Sequence, residues 1–313
     1  MTTLPFSYAR ETTLITGASR GIGAAFAREL ARRGAPDIAL VARTEHDLES
    51  LASELRDLYQ TRVHVIVADL ADADAPAAIK AETDRLGLEV GLLINNAGFG
   101  DYGRFDQRPL SKQESMIAVN VSSLVALTHL YLPEMAGRGE AGIINVGSTA
   151  GFQPIPYMAT YAATKAFVQS FSEALWAENE ERGTDVRVVC LCPGGTATEF
   201  GSVAADGRDV GRGSFEHAPQ STAEEVVQAG LDALDRNACY EVVGTLNYLG
   251  TLGPRLLPRS AIARLAAALF RRVDEEQNAE RATRRRLYVA GAAVAASIAA
   301  VTLMAKRRPR RAC

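Results

Sequence analysis

Four groups of residues in this chain have the types and order needed to move a proton and a hydride. Tyr161 and Lys165 stand four apart in Tyr-Ala-Ala-Thr-Lys, Ser148 lies thirteen residues before Tyr161, and a glycine-rich run, Thr16-Gly-Ala-Ser-Arg-Gly-Ile-Gly23, precedes them all. On a helix, a phenol and an amine at this separation share one face. A free tyrosine titrates near pH 10, about three units above neutrality, and a nearby ammonium favours its phenolate. The phenol then suits general acid work at a carbonyl oxygen, with the Ser148 hydroxyl holding that oxygen and a bound dinucleotide exchanging the hydride. Each part alone is common; a Tyr-x-x-x-Lys pair is often an aromatic packed beside a solvated amine. The order and spacing of all four carry the reading.

The elements that must hold these groups are legible in apolar runs and turn residues. Thr12 to Thr16 is β-branched and aliphatic, the mark of a buried strand, and Ala24 to Arg33 has helix-forming composition that ends at Gly34. Gly17, Gly21 and Gly23, with Ser19, Arg20 and Ile22 among them, therefore fall in a strand-to-helix turn. There, glycine lets main-chain N–H groups approach a pyrophosphate, and the helix N-terminus supplies partial positive charge. The spacing is Gly-x-x-x-Gly-x-Gly rather than the more widely shared Gly-x-Gly-x-x-Gly, and the bland alternative is a plain structural turn.

The next strand, Asp37 to Arg43, ends where a carboxylate would bond the adenosine ribose of NAD. Ala42 and Arg43 occupy that end instead. A guanidinium suits a phosphate through charge-assisted hydrogen bonds, and with Arg20 as a second cation the expectation is NADP(H). The alternative is that Arg43 is a solvated strand end. Val90 to Ile94 and Gly142 to Val146 are further apolar runs with helical stretches between them, which predicts an α/β doubly wound parallel sheet. Ligands of such sheets bind at the carboxyl ends of the strands. Asn95-Asn-Ala-Gly98 and Gly147-Ser148 fall at two of those ends.

With these motifs in hand, the chain resembles the short-chain dehydrogenase/reductase family from about Thr12 to about Val243. The resemblance rests on the glycine loop, Asp69-Leu70, Asn95-Asn-Ala-Gly98, Asn120, Ser148, Tyr161, Lys165 and Pro193-Gly194. It implies a Rossmann-like domain of about seven strands, with Tyr161 as acid/base and Ser148 positioning the carbonyl. It also implies that Lys165 binds the nicotinamide ribose and lowers the tyrosine pKa, and that Asn120 holds a water that relays protons through Lys165. By the same resemblance Asp69 and Leu70 contact adenine, Asn96, Ala97 and Gly98 line the cofactor cleft, and Pro193, Gly194, Thr196 and Thr198 cover the nicotinamide. Without the family, Asn120 and Asp69 read as turn or capping residues. The family further implies a homodimer or homotetramer.

At 313 residues and 47% apolar content the chain can bury one sizeable core. The motifs run continuously, so residues 1–245 read as one catalytic domain. Cys190, Cys192, Cys239 and Cys313 show neither metal-ligand spacing nor a disulfide framework, and His46, His64, His129 and His217 form no ligand cluster, so no metal is expected. Cys190 and Cys192 belong to the apolar run Val186 to Cys192 and read as core. Phe152 to Tyr157 offers two prolines, an aliphatic residue and two aromatics as an apolar wall for a substrate. The stretch from Glu199-Phe200-Gly201 to His217 is either a lid, as the family suggests, or a plain connection.

The tail has a different character. Ile262, Leu265, Leu269 and Val273 recur at helical spacing, so residues 246–280 read as an amphipathic extension, packed on the body or lying on a membrane. Residues 281–313 hold nine of the 34 cations and no acid, which leaves 25 cations against 37 acids in the rest. Within the tail, Leu287 to Ala305 is uncharged for nineteen residues, of which eight are alanine. Nineteen helical residues span about 28 Å, close to a bilayer core of roughly 30 Å. A spanning anchor, an interfacial helix and a soluble helix all stay open. Nucleic-acid binding would not need the uncharged run, and Met1 to Arg10 lacks the pattern of a signal peptide. The chain therefore reads as an NADP(H)-dependent oxidoreductase for a moderately apolar carbonyl or secondary alcohol, cytoplasmic and held to a membrane by its C-terminus. A reductase of lipid-linked 3-oxoacyl chains is the variant reading, and a non-catalytic NADP(H)-binding sensor or scaffold is the rival.

Overall fold

The computed structural model describes residues 4–200, 204, 220–256 and 258–268. Most of the lid-like stretch from Gly201 to His217, the positions Leu269 and Val273, and the anchor-like segment 287–305 lie outside the described residues.

Seven strands form one parallel sheet: β1 (Thr12–Thr16), β2 (Asp37–Ala42), β3 (Arg62–Val67), β4 (Val90–Asn95), β5 (Ala141–Val146), β6 (Val186–Cys192) and β7 (Tyr240–Val242). Their order across the sheet is β3-β2-β1-β4-β5-β6-β7. The chain reverses direction across the sheet between β1 and β4, which opens a crevice at their carboxyl ends. The sequence placed β1, β2, β4 and β5 to within a residue at either end.

Every residue of β4 and β5 is buried, as a sheet covered on both faces requires. One covering layer holds α1 (Gly21–Arg32), α2 (Glu45–Tyr59) and, packed on α1, a helix from Ala223 to Asp235. The other holds α3 (Ala75–Arg85), α5 (Ser123–Arg138) and α6 (Ala159–Arg182), with α4 (Leu110–Ile117) leading into α5. Two apolar clusters fill the spaces between, one around Phe26, Leu30, Ile38 and Leu48, the other around Leu14, Ile79, Leu93 and Tyr131. The helix Ala223–Asp235, α7, starts with a capping box in which Thr222 Oγ1 accepts from Glu225 N and the Glu225 carboxylate accepts from Thr222 N. A last named helix, α8, runs from Thr245 to Leu256.

Two expectations need correction. The first helix starts at Gly21, not Ala24, because Gly21 and Gly23 are its opening turn rather than part of the loop before it. Residues 259–268 are helical, but Ile262 and Ala266 face inward at 8% exposure while Leu265 faces out at 59%. The inward stripe is therefore Ile262–Ala266, four apart, and Leu265 belongs to the opposite face. Among the described residues, the one helical run long and apolar enough to cross a bilayer is Leu110–Arg138, with a mean hydropathy of 1.5 over an 18-residue window. It owes its apolarity to packing: Leu124, Leu127, Tyr131 and Met135 are buried against the protein interior.

Candidate active site

The glycine loop leaves β1 and turns back with Gly17 at φ +64° and Gly21 at φ +53°. Its glycines are demanded by packing as much as by any ligand. A Cβ on Gly23 would stand 2.3 Å from the Gly17 carbonyl oxygen and 2.6 Å from Asn96 Nδ2, and one on Gly17 would stand 2.9 Å from Ala97 Cα. The loop thus lies directly on the end of β4. Asn96 binds it there, donating its amide to the carbonyls of Thr16 (2.9 Å) and Gly17 (3.1 Å), while Thr16 Oγ1 accepts from the N–H groups of Asn96 and Ala97. Ile22 turns inward onto the core. Arg20, at the N-cap of α1, offers no side-chain cap, so the first N–H groups of that helix point out of the loop beside Ser19 and Gly21.

Two cations flank this end of the crevice. Arg20 donates to Asp47 (2.8 Å) and Glu199 (2.7 Å), which joins the glycine loop to both α2 and the segment after β6. Arg43 is exposed and lies 3.9 Å from Asp69. Asp69 also accepts from Ala71 N–H, so it is a turn residue as well as a wall residue. Leu70 is buried in the core, with little of its side chain left to meet a ligand. Gly98 is exposed at the end of β4.

Tyr161 and Lys165 lie in the first two turns of α6, both buried. Ser148 follows β5 and stays extended at φ −173°; its Oγ accepts from Ala150 N–H and donates to the Pro193 carbonyl at 3.4 Å. Lys165 Nζ donates to the Val146 carbonyl at 2.7 Å and sits 5.9 Å from the centre of the Tyr161 ring. Asn120 lies in a π-helical turn, Ala118–Ser122, between α4 and α5. Its amide donates to the Phe99 carbonyl (3.0 Å) and Thr164 Oγ1 (3.1 Å), and its Oδ1 accepts from Phe99 N–H. One lone pair of that oxygen stays available. A Cβ on Gly98 would lie 3.2 Å from it and 3.4 Å from Lys165 Nζ, so the two groups border the same small space.

The nicotinamide-side segment follows β6. Pro193 is buried, a Cβ on Gly194 would collide with Asn247 of α8 at 2.4 Å, Thr196 Oγ1 donates to the Gly194 carbonyl, and Thr198 stands over Gly21. Apart from Ile22 and Leu70, whose side chains belong to the core, the sequence-predicted site residues lie along one crevice at the carboxyl end of the sheet, from Asp69 and Arg43 at one end to Ser148 and Tyr161 at the other.

The short chain dehydrogenase family profile matches residues 11–208 of this chain. The chain belongs to that family. A very-long-chain 3-oxoacyl-CoA reductase of Anas platyrhynchos is 39% identical over 181 residues, 56% of this chain and 57% of that protein, so the chain spans little more than half of that relative's length. A 7beta-hydroxysteroid dehydrogenase of Mediterraneibacter gnavus is 32% identical over 226 residues, 72% of this chain and 83% of the relative. Among solved structures, a short-chain dehydrogenase from Sphingobium yanoikuyae in complex with NADPH matches with a TM-score of 0.68 and 34% identity, covering 79% of this chain and 93% of that one.

In this member of the short chain dehydrogenase family the electrostatics differ from the expectation that Lys165 lowers the phenol. Burial pushes Tyr161 up to about 12, and the Ser148 hydroxyl beside it pulls only partly the other way. Burial also draws Lys165 down to about 8, against a smaller opposing influence of Cys190 and Cys192. With its folded value below the 10.5 of a free lysine, Lys165 is charged in both states below about pH 8, where its burial penalty is in force. Between about 8 and 10.5 the unfolded chain holds a proton that the folded one has released, so stability rises with pH across that window. Thermal unfolding of wild type and Lys165→Met, compared from pH 7 to 9.5, should show this rise in the wild type only; parallel curves would remove Lys165 as its source.

Ile155 and Tyr157 stand in the apolar wall the sequence predicts, whereas Met158, Tyr102 and the contact of Phe200 with the phenol escaped the sequence reading. Phe200 lays its ring 5.3 Å from that of Tyr161, and Met158, Tyr102, Ile155 and Tyr157 complete an apolar cluster around the phenol. Phe152, expected in that wall, instead packs 6.2 Å from Tyr240 on the other side of the turn. The loop bearing Tyr102 is pinned by Asp101, which is buried under Arg108, Lys112 and Gln113. Burial raises that carboxyl, but the hydrogen bonds from Arg108 and Lys112 outweigh it and hold the group below the usual carboxylate range. Beneath the site a buried chain of amides runs from Thr128 through Asn95 and Asn145 to Ser172, tying β4 and β5 to α5 and α6. No group of three or more His, Cys, Asp or Glu side chains is placed to hold a metal among the described residues.

Proposed function

We propose that this protein is an NADP(H)-dependent oxidoreductase that interconverts a bulky, apolar ketone and its secondary alcohol, with Tyr161 as general acid/base. The observation that carries the reading is the Tyr161 phenol, set beside Ser148 inside an apolar cluster and backed by Lys165 and Asn120. NADP(H) fits the residues present. The uncapped N-terminus of α1 suits a pyrophosphate, Gly98 leaves room beside Lys165, and Arg20 and Arg43 supply cations where a ribose phosphate would lie. Ser19, Gly17, Gly21, Gly23, Asp69, Asn96, Ala97, Gly194, Thr196 and Thr198 form the remainder of that binding wall.

When bound, the cofactor supplies or accepts the hydride. Ser148 Oγ–H, held only by a long bond to Pro193, turns to donate to the substrate oxygen. Tyr161 gives its proton to that oxygen as negative charge grows there; its high pKa keeps it protonated for this role at neutral pH. Solvent supplies the proton that restores the phenol, relayed by Lys165 and by a water that donates to the free lone pair of Asn120 Oδ1. In alcohol oxidation the same groups act in reverse.

Very-long-chain 3-oxoacyl-CoA reductases and 7beta-hydroxysteroid dehydrogenases among the relatives support a large apolar carbonyl as substrate class, and lipid-linked 3-oxoacyl chains are the variant the tail favours. Residues 1–245 form the catalytic body in this reading, 246–280 its extension and 281–313 a membrane anchor that keeps the body on the cytoplasmic side, assembled as a homodimer or homotetramer. The test is NADPH and NADH oxidation against ketones ranging from short to steroid-like and acyl-chain carbonyls. Turnover should favour NADPH and the bulky carbonyls. Arg43→Asp should shift the cofactor preference toward NADH by roughly 10- to 100-fold, the worth of a charged hydrogen bond of about 1.5–3 kcal/mol. An unchanged ratio would take Arg43 out of the phosphate site.

A further inference from the structure

Among the described residues, nothing packs on the outer face of α8. Its inner face is fixed: Asn247 bonds the Val243 carbonyl and lies against Gly194, and Thr251 is 4% exposed. On the outer face Leu246 is 68% and Leu249 55% exposed, and a Cβ built on Gly250 or Gly253 meets nothing within 4 Å. Positions 246, 249, 250 and 253 form one open stripe at helical spacing. The helix over 259–268 repeats the arrangement, with Ile262 and Ala266 inward and Leu265 outward.

Charge indicates what covers this face. Among the described residues, 242–268 carry Arg255, Arg259 and Arg264 and no acid, with Arg259 and Arg264 exposed, on a body otherwise rich in acids. A surface both apolar and basic suits anionic lipid headgroups over an acyl boundary, whereas a protein partner would need an acidic rim of its own. Only eighteen residues separate residue 268 from the uncharged run that starts at Leu287 between two groups of cations.

We infer that α8 and the 259–268 helix form a surface that rests on an anionic bilayer, with leucines in the acyl boundary and arginines among the headgroups. This rests on the membrane reading above and gives it a face and a consequence. Because the inner face of α8 packs on the turn after Ser148 and touches Gly194, a bilayer under its outer face lies one helix away from the crevice.

The experiment uses the full chain on vesicles of phosphatidylcholine and phosphatidylserine with brominated acyl chains. Leu249→Trp adds an indole on the outer face, and the natural Trp176 of α6 is the control. Quenching of the added indole should exceed that of wild type about twofold or more, as expected of a group about 5–10 Å deep. Quenching equal to wild type overturns the proposal, as does an indole already shielded in lipid-free solution, which would mean a second copy covers the face. Equal quenching in vesicles without phosphatidylserine overturns the assignment to an anionic surface. Turnover of a water-soluble ketone in the same samples checks the enzymatic reading separately, because quenching does not depend on it.

Discussion

Tyr161→Phe should lower kcat by about a hundred- to ten-thousand-fold, the usual contribution of a positioned general acid, while NADPH binds as before. The variant loses one oxygen and keeps the ring, so the contact with Phe200 at 5.3 Å and the packing of Ile155 and Met158 persist. Ser148 keeps its bonds from Ala150 N–H and to the Pro193 carbonyl. Stability should therefore change little. The check is NADPH binding by fluorescence beside single-turnover reduction of the best ketone. Turnover within tenfold of wild type would exclude Tyr161 as the acid. If the cellular role survives intact while chemistry is lost, the protein is a sensor or scaffold and not an enzyme in its biological setting.

Gly23→Ala should remove cofactor binding and destabilise the fold together. The added carbon would meet the Gly17 carbonyl oxygen at 2.3 Å and Asn96 Nδ2 at 2.6 Å, and the first of these is backbone. Relief requires the loop to lift from β4, which strains the Asn96 bonds to Thr16 and Gly17 that set its height. Overpacking of this kind costs about 1–3 kcal/mol. Denaturant unfolding measures the loss, and NADPH titration should show no saturation at concentrations that fill the wild type. Gly87→Ala is the control, since a Cβ there meets nothing within 4 Å and only its φ of +68° resists the change. A Gly23 variant that binds normally would mean the loop moves freely, contrary to the packing.

The glycine loop, Asn95 to Gly98 and Ser148 were legible because each follows a strand whose apolar run marks where it ends, Tyr161 and Lys165 because of their helical spacing, and Asn120 and Asp69 only through the family resemblance. Thr16, Asn95 and Val146 close β1, β4 and β5, and the residues just beyond them had to face one crevice. Arg43 was placed for the same reason. What stayed hidden depends on distant segments meeting. Nothing in the sequence near Phe200 points to Tyr161, 39 positions earlier, and Asp101 reads as a loop acid until Arg108, Lys112 and Gln113 close over it. Phe152 was misplaced because a 3-10 turn over Thr149–Phe152 rotates it toward Tyr240, a half-turn the composition of the run does not encode. The pKa of Tyr161 escaped for a different reason: sequence spacing reports the neighbouring amine but not the depth of burial, and burial is the larger influence.

The amide chain beneath the crevice constrains how this sequence can drift. Asn95 gives one amide hydrogen to Thr128 and the other to Asn145, and Asn145 passes one of its own to Ser172, all of them buried. A single replacement strands a polar neighbour in a dry interior, and a second replacement that removes that neighbour repairs part of the damage. Positions 95, 145 and 172 therefore behave as one heritable unit, open to paired changes but resistant to stepwise ones, and the helix that carries Tyr161 inherits its fixed seat from that linkage.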